Sequence, residues 1–166
     1  SDAFSVQRLL EGERLVQSTP FTSIILRLGG IYGPGRDRLI DQVRLGKAAC
    51  YDGSPIFSNR IHRDDCVGAL THLMTLESPE RLYIGVDNEP ADLCEILRWL
   101  AEQLDGEEPR LERRPPDSLS RAMRSNKRCS NRRLRESGYQ FLYPTYKEGF
   151  RALIEDPGVK KPPTGK

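Results

Sequence analysis

The sequence has 166 residues, a net charge of +2 and 37% hydrophobic residues, which fits one soluble globular domain or part of a larger one. No apolar run approaches the roughly 18 residues of a membrane span, and the N-terminus lacks the apolar core of a signal peptide. The four cysteines, Cys50, Cys66, Cys94 and Cys129, are widely spaced, and the two histidines complete no recognisable metal cluster. We therefore expect ordinary thiols, no metal site and a cytoplasmic location.

Helix and strand patterns alternate along the first half of the chain. Apolar residues at helical spacing predict a helix over residues 6–17, and the apolar run 23–28 predicts a buried strand. A short helix over residues 38–45 is expected to end at Gly46, with short strands within residues 48–59 around a turn signal. This order is typical of α/β proteins.

The alternation continues beyond these strands. Asp64 or Asp65 is expected to cap the next helix. The apolar face of that helix contains Cys66, Ala69, Leu70, Leu73 and Met74. Residues 81–86 then read as a strand, and Pro90 is placed to open another helix. We therefore predict an α/β fold with a partly parallel sheet.

The C-terminal part is less regular. A short helix is expected over residues 132–137, with Gly138 as its stop. Thr145 and Glu148 have the spacing of a capping box, which predicts the start of a last helix. Residues 156–166 contain paired prolines and no apolar face, so we expect a disordered tail.

A glycine-rich loop follows the first predicted strand, in the stretch IILRLGGIYGPGR. In open α/β sheets, ligands bind beyond the carboxyl ends of the strands, which is where this loop lies. Glycines let the backbone approach a ligand closely, and Arg36 and Arg38 are suited to pairing with phosphate or carboxylate. A tight turn that only relieves crowding explains the glycines equally well, so both interpretations stay open.

Four motifs, in order, resemble the extended short-chain dehydrogenases/reductases, the NAD-dependent epimerase/dehydratase family. LRLGGIYGPGR is similar to the family's R-x-x-x-[IV]-Y-G-P segment, and NRIHRDDCVGAL is similar to its I-H-V-D-D-[VL]-[AV]-x-A segment. YIGVDNEPADLCEIL resembles its late strand, and the stretch from SNKRC to RALI resembles its C-terminal end. The resemblance runs from about Val6 to Ile154.

The resemblance implies the C-terminal half of that fold. Residues 1–155 would form a partial Rossmann-like, mostly parallel sheet, with the small substrate-binding region at about 36–60 and 88–145. Gly29, Gly30 and Ile31 would face the nicotinamide of the cofactor. The residues expected to bind substrate are Tyr32, Arg36, Arg38, Asn59, Arg60, Lys127 and Arg128.

Several of these residues also have structural explanations. Tyr32 is equally well read as a buried structural tyrosine, and exposed arginines are commonly solvated. His62 is expected to tie its loop to the following helix. For Asp64 and Asp65, helix capping is favoured over acid/base chemistry.

Two features of the family are missing from the sequence. The G-x-x-G-x-x-G turn that would hold the pyrophosphate is not present. The catalytic Tyr-x-x-x-Lys pair aligns with Ser5 and Leu9, or with Phe4 and Arg8 after a one-residue slip, and neither pair can perform the proton transfer. We therefore assign no catalytic residue. We expect NAD or NADP to bind an intact parent protein but not this chain alone.

A basic run occupies residues 110–135, with ten Lys or Arg and two acidic residues. It could close over a substrate phosphate, bind polyanions, or lie in solvent. Nucleic acid is an unlikely partner, because the run contains no aromatic residue on which bases could stack.

Three functions are therefore consistent with the sequence. The first is a fragment of an NAD(P)-dependent epimerase, dehydratase or reductase acting on a sugar-nucleotide-like or other small polar substrate. The second is a non-catalytic dinucleotide-binding sensor or scaffold, and the third is a polyanion-binding module. Besides the small-molecule substrate, the expected partner is a missing N-terminal half or a second copy, because the predicted sheet ends at an unpaired apolar edge. We expect no membrane partner.

Overall fold

The computed structural model describes residues 4–113 and 126–156. Its helices are α1 (Phe4–Gln17), α2 (Arg38–Arg44), α3 (Arg63–Met74), α4 (Leu93–Gln103), α5 (Arg132–Glu136) and α6 (Tyr146–Glu155). Its strands are β1 (Ile25–Leu28), β2 (Gly30–Tyr32), β3 (Ala49–Tyr51), β4 (Phe57–Ser58), β5 (Arg60–His62), β6 (Leu82–Gly85), β7 (Ala91–Asp92) and β8 (Arg110–Glu112). Three of the four strand pairs are parallel, which confirms the predicted α/β class.

β1 and β2 form one extended segment that changes its pairing partner at Gly29. β1 pairs with β6, whereas β2 pairs with β5. The amide of Gly29 donates to the carbonyl of Gly85 at 2.9 Å, and the amide of Gly30 donates to the carbonyl of Asn59 at 2.8 Å. A Cβ on Gly29 would lie 2.7 Å from that Asn59 oxygen. Glycine is therefore required where β5 enters beside the segment.

The main hydrophobic core joins β2 to helices α2, α4 and α6. Its largest fully buried side chains are Tyr32, Ile40, Ile96, Leu100, Tyr146 and Phe150. A smaller core lies between α3, β6 and α5 and contains Ala69, Leu73, Tyr83, Leu134 and Tyr139. The main core holds β2 through Tyr32, whereas β5 contacts α3 and α6. The candidate site is built from these two strands.

The first helix and strand are less buried than the sequence predicts. α1 has no buried residue, and the side chains of Phe4 and Leu9 are 74% and 69% exposed. Leu28 in β1 is also exposed. Among the described strands, β1 pairs only with β6, so its other edge is open. The strand is present, but the prediction that it is buried is wrong, because nothing in residues 4–113 and 126–156 covers that edge.

The predicted apolar face of α3 is also only partly buried. Cys66, Ala69 and Leu73 are buried, whereas Leu70 and Met74 are exposed. These two exposed side chains line an open groove together with Ile24 and Leu26.

The predicted cap of α3 is wrong. The Nδ1 atom of His62, rather than a carboxylate of Asp64 or Asp65, accepts a hydrogen bond from the amide of Asp64 at 3.2 Å. Both acidic residues lie inside the first turn of the helix. His62 thus ties its loop to the following helix, as predicted for a structural histidine.

α4 also starts later than predicted, whereas the start of α6 is confirmed. α4 begins at Leu93 and not at Pro90, because Ala91–Asp92 first pairs with β4. In α6, the hydroxyl of Thr145 accepts from the backbone and the carboxylate of Glu148 accepts from the amide of Thr145. The capping box forms because it depends on residues three apart.

A disulfide joins Cys50 in β3 to Cys94 in α4. The expectation of ordinary thiols is therefore wrong for these two residues. Cys66 is a buried free thiol and Cys129 is a partly buried one. The bridge spans 44 residues and attaches the small region containing β3 to the main core.

Two predicted features lie outside the described residues. They are the tail from residue 157 onward and residues 114–125 of the basic run. In the part of the chain that the structure describes, no helix has the length and apolar character needed to cross a bilayer.

Candidate functional site

A cavity of about 500 Å³ lies between β2, α2, β3 and α4. Four cationic side chains line it, those of Arg36, Arg38, Lys47 and Arg60. Aromatic rings of Tyr32, Tyr51 and Phe150 and aliphatic side chains complete the lining. None of the described residues that line the cavity carries a carboxylate, so its charge suits an anionic ligand.

A tight turn positions Arg36 and Arg38. The amide of Arg36 donates to the carbonyl of Gly33 at 2.8 Å, which closes the turn. Gly35 has a φ of 76°, a left-handed conformation that favours glycine. α2 starts immediately at Arg38, so the loop brings two guanidinium groups to the same side of the cavity.

The other end of α2 positions Lys47. The helix is followed by Gly46 with a φ of 61°, and the amide of Lys47 donates to the carbonyl of Gln42 at 2.8 Å. Gln42 itself also lines the cavity. Both ends of one short helix therefore contribute cations to the site.

Arg60 is the cation held most deeply. Its Nε is buried and has no hydrogen-bond partner among the described residues. Its guanidinium carbon lies 6.0 Å from the centre of the Phe150 ring. Burial lowers the pKa of Arg60, although the partial charges of Tyr32 and Asp87 act in the opposite direction. The arginine therefore carries unused hydrogen-bonding capacity at the cavity wall.

Asp87 lies next to Arg60 on the neighbouring segment. Its amide donates to the carbonyl of Arg60 at 2.6 Å, and its carboxylate is 2% exposed. Oδ1 accepts from the amide of Glu89 at 3.1 Å, whereas Oδ2 has no partner in residues 4–113 and 126–156. Burial raises the pKa of Asp87 to about 7.

The Tyr32 hydroxyl is a third buried polar group of this kind. Tyr32 is 2% exposed, and its hydroxyl also lacks a partner among the described residues. Burial raises its pKa above the ordinary range, so it remains protonated near neutral pH. The ring packs on Phe150 with centroids 4.5 Å apart. Tyr32 is therefore buried, as expected for a structural tyrosine, and it also forms part of the cavity wall.

The cavity brings together five of the ten predicted ligand-binding residues, namely Ile31, Tyr32, Arg36, Arg38 and Arg60. Gly29 and Gly30 lie at the fork between β5 and β6 and do not line it. For all ten residues, ligand binding stays a prediction.

The remaining three predicted residues lie elsewhere. Asn59 binds a neighbouring segment: its Nδ2 donates to the carbonyl of Lys127 at 2.7 Å, and its Oδ1 accepts from the amide of Cys129 at 2.7 Å. Lys127 and Arg128 are exposed, and the Arg128 guanidinium lies 4.9 Å from the Phe57 ring centre. In this structure Asn59 anchors the basic segment rather than lining the cavity.

Asp65 has a structural position that the sequence did not indicate. Its buried carboxylate accepts hydrogen bonds from the Tyr139 hydroxyl at 2.8 Å and from the amides of Leu142 and Tyr143 at 2.8 and 3.0 Å. These bonds connect α3 to the segment that precedes α6. In the part of the chain that the structure describes, no group of three His, Cys, Asp or Glu residues is arranged to hold a metal ion.

Sequence reasoning missed several residues of the site. Lys47 and Tyr51 reach the cavity because β3, which follows α2 in the chain, packs against α4. Asp87 had a visible signal, because it is an acidic residue directly after an apolar strand, at the edge where ligands bind in α/β sheets. For Leu93, Leu97 and Phe150 the sequence showed only apolar residues at helical spacing. That pattern predicts burial in a helix and does not indicate a place in a ligand site.

Comparisons with known proteins agree with this architecture. No protein-family model matches the sequence. The structure aligns with a protein from Methylobacillus flagellatus assigned as an NAD-dependent epimerase/dehydratase, at 35% identity and a TM-score of 0.70, over 93% of this chain and 54% of that one. The chain has an NAD-dependent epimerase/dehydratase fold, over about half the length of that structure.

Further matches support this epimerase/dehydratase fold. A conserved protein of unknown function from Silicibacter pomeroyi is 29% identical, with a TM-score of 0.76 over 93% of this chain and 56% of that one. A human epimerase family protein, solved with NADPH, is 20% identical with a TM-score of 0.75, covers 93% of this chain and 57% of that one, and shows the fold alone.

A curated relative covers a shorter stretch. A 3-diazoavenalumate denitrifying reductase from a Streptomyces species is 33% identical over 113 residues, which is 65% of this chain and 37% of that protein. The chain therefore spans little more than half the length of the solved structures and just over a third of the curated relative. Ser5 and Leu9, which the sequence comparison aligned with the family's Tyr-x-x-x-Lys pair, are both exposed on α1.

Proposed function

We propose that this chain is the substrate-binding half of an NAD(P)-dependent epimerase/dehydratase-type protein, and that its cavity binds a small anionic substrate. The single observation that carries this proposal is the cavity of about 500 Å³ lined by four cations. Guanidinium groups form bidentate, charge-assisted hydrogen bonds with phosphates and carboxylates, which favours those groups in the ligand. A sugar nucleotide is one ligand that carries such a group.

The cofactor of the intact protein is NAD or NADP in this proposal. Solved structures with the same fold contain NADPH or NAD, which supports a dinucleotide in the parent. The sequence contains no glycine-rich pyrophosphate turn, so the cofactor would be held mainly by residues outside this chain. We expect the 166-residue chain alone to bind neither NAD nor NADP measurably.

A second candidate is a non-catalytic sensor or scaffold with the same fold. The observation in its favour is α1, which contains neither a tyrosine nor a lysine. The Streptomyces relative is named as a reductase, and this name favours chemistry in the parent instead. Both candidates use the cationic cavity, and they differ only in whether the bound molecule is converted.

Calorimetric titration tests the cavity. We expect UDP-glucose and inorganic pyrophosphate to bind the chain saturably with one site, and NADH to give no measurable heat of binding. Arg38→Ala should weaken the affinity about tenfold, because one charge-assisted contact is lost. Arg44→Ala is the matched control, since Arg44 is an exposed arginine of the same helix that does not line the cavity. Equal losses in the two variants, or no binding by a folded chain, would contradict the proposal.

A further inference from the structure

Two residues of the cavity wall and one residue on the neighbouring segment hold buried polar groups that the fold leaves without partners. They are the hydroxyl of Tyr32, Nε of Arg60 and Oδ2 of Asp87, and each lacks a hydrogen bond within residues 4–113 and 126–156. Native proteins rarely leave buried polar atoms unpaired, because each one forfeits its interaction with water. Three such atoms on adjacent segments indicate a place where a ligand supplies the missing partners.

Backbone geometry brings these groups together. Tyr32 and Arg60 belong to the paired strands β2 and β5, and both side chains line the cavity. The backbone of Asp87 lies beside that of Arg60, because the amide of Asp87 donates to the carbonyl of Arg60 at 2.6 Å. The Nε of Arg60 has no hydrogen-bond partner within residues 4–113 and 126–156, so the guanidinium retains the capacity to bind an oxyanion.

Resting on the function proposed above, we propose that Arg60 forms an inner oxyanion subsite, with the Tyr32 hydroxyl as a second donor, and that Asp87 controls this subsite by its protonation. A neutral Asp87 leaves the charge of Arg60 available to a sulfate, phosphate or carboxylate group. An ionised Asp87 competes for the same guanidinium. Arg36, Arg38 and Lys47 bind the ligand further out, so Arg60 selects molecules with an acidic group at the inner end.

The charges around Asp87 make this competition occur near neutral pH. Arg60 on β5 favours the ionised carboxylate, as does the hydrogen bond from the amide of Glu89. Glu89 and Glu148 oppose ionisation through their own charges, and the rings of Tyr32 and Tyr146 add only neutral hydroxyls to the surroundings. Burial is the largest effect and favours the neutral acid, which is consistent with titration near pH 7.

The test is a calorimetric titration of phenyl sulfate into the full chain at pH 6.0 and pH 8.0. The charge of this probe is constant over that range, whereas a phosphate monoester would itself titrate near pH 6. We expect affinity at pH 6.0 to exceed that at pH 8.0 by about five- to tenfold. Asp87→Asn should remove the difference and keep the tighter value at both pH values.

Two further variants separate the subsite from the cavity as a whole. Arg60→Met keeps the length of the side chain without its charge and should weaken phenyl sulfate binding at pH 6.0 by about tenfold or more, with Tm showing that the variant is folded. Arg44→Met should bind as the wild type does. Unchanged binding by Arg60→Met, pH-independent binding by the wild type, or no saturable binding of phenyl sulfate would overturn the subsite. These results would leave the proposed function standing, because it is tested separately by UDP-glucose and pyrophosphate binding and by the Arg38→Ala and Arg44→Ala variants.

Discussion

The buried carboxylate of Asp65 accepts a hydrogen bond from the hydroxyl of Tyr139 at 2.8 Å. The same carboxylate accepts from the amides of Leu142 and Tyr143. A residue in the first turn of α3 thereby fixes a segment more than 70 residues later in the chain. His62, which caps α3, stacks against Tyr143 with ring centroids 4.0 Å apart, so the same contacts hold the carboxyl end of β5.

Asp65→Asn should lower the free energy of unfolding by about 2–4 kcal/mol. An amide presents one oxygen where the carboxylate presents two, and its NH₂ group would face backbone donors. Chemical denaturation measures the loss. Asp64→Asn is the matched control and should change stability by less than about 0.5 kcal/mol, because Asp64 is 43% exposed. Similar losses in both variants would show that the Asp65 contacts contribute little.

Gly149→Ala should destabilise the protein by about 2 kcal/mol or more. A Cβ at this position in α6 would collide with the Tyr32 hydroxyl and lie 2.7 Å from Cζ of the same ring. Gly12→Ala in α1 is the control, because a Cβ there meets nothing within 4 Å and raises helix propensity. We expect Gly12→Ala to be neutral or stabilising by up to about 1 kcal/mol. A tolerated alanine at residue 149 would contradict the close packing of Tyr32 against α6.

Thiol titration in denaturant should find two reactive cysteines without reductant and four with it. The pair Cys50–Cys94 is bridged, whereas Cys66 and Cys129 are free. Reduction should also lower stability by about 2–4 kcal/mol, since the bridge closes a long loop in the unfolded chain. Mass spectrometry after alkylation identifies the pair. Four reactive thiols in the non-reduced protein would refute the bridge.

Asp87→Asn should stabilise the protein, and the gain should depend on pH. Burial raises the pKa of Asp87 from 3.8 to about 7, so between these values the folded state holds a proton that the unfolded state has lost. The wild-type free energy of unfolding therefore falls as the pH rises from about 4 to about 7. At pH 8 the variant should be more stable by about 4 kcal/mol, from about 1.4 kcal/mol per unit of pKa shift.

Denaturation curves at pH 4, 5.5, 7 and 8 check this dependence. The two proteins should differ by less than about 1 kcal/mol at pH 4, where the carboxyl group is protonated in the folded wild type and about half protonated in the unfolded chain. A constant difference across this range would mean that Asp87 is not buried as a neutral acid.

Local patterns predicted much of the fold. The capping box of Thr145 and Glu148 depends on residues close in sequence, and the structure contains it. The alternating helices and strands were also readable, because their spacing reflects which face is buried. The prediction that a helix starts at Pro90 was wrong because the following two residues pair with β4. The sequence around Pro90 does not encode that contact.

Contacts between distant residues were not readable from the sequence. Cys50 and Cys94 are 44 residues apart, and their spacing fits no motif. Asn59 ends the segment in which short strands were predicted, and the family resemblance implied a ligand-binding role, but its amide is occupied by the backbone of Lys127 and Cys129. Lys47 lines the cavity because of the direction in which the chain enters β3, which the sequence does not show. Arg36 and Arg38 were found because they follow a strand at the edge where α/β proteins bind ligands, whereas Arg60 was found through the family resemblance.

The most direct test of the central claim is to locate a bound anion on the chain by two-dimensional NMR. Titration with UDP-glucose should shift the amide signals of Ile31, Arg36, Arg38, Lys47 and Arg60, the residues that line the cationic cavity. Signals of Arg132 and Arg133, which are exposed on α5, should stay in place. Shifts confined to α5 and the rest of the basic run would contradict the account and favour a polyanion-binding surface instead.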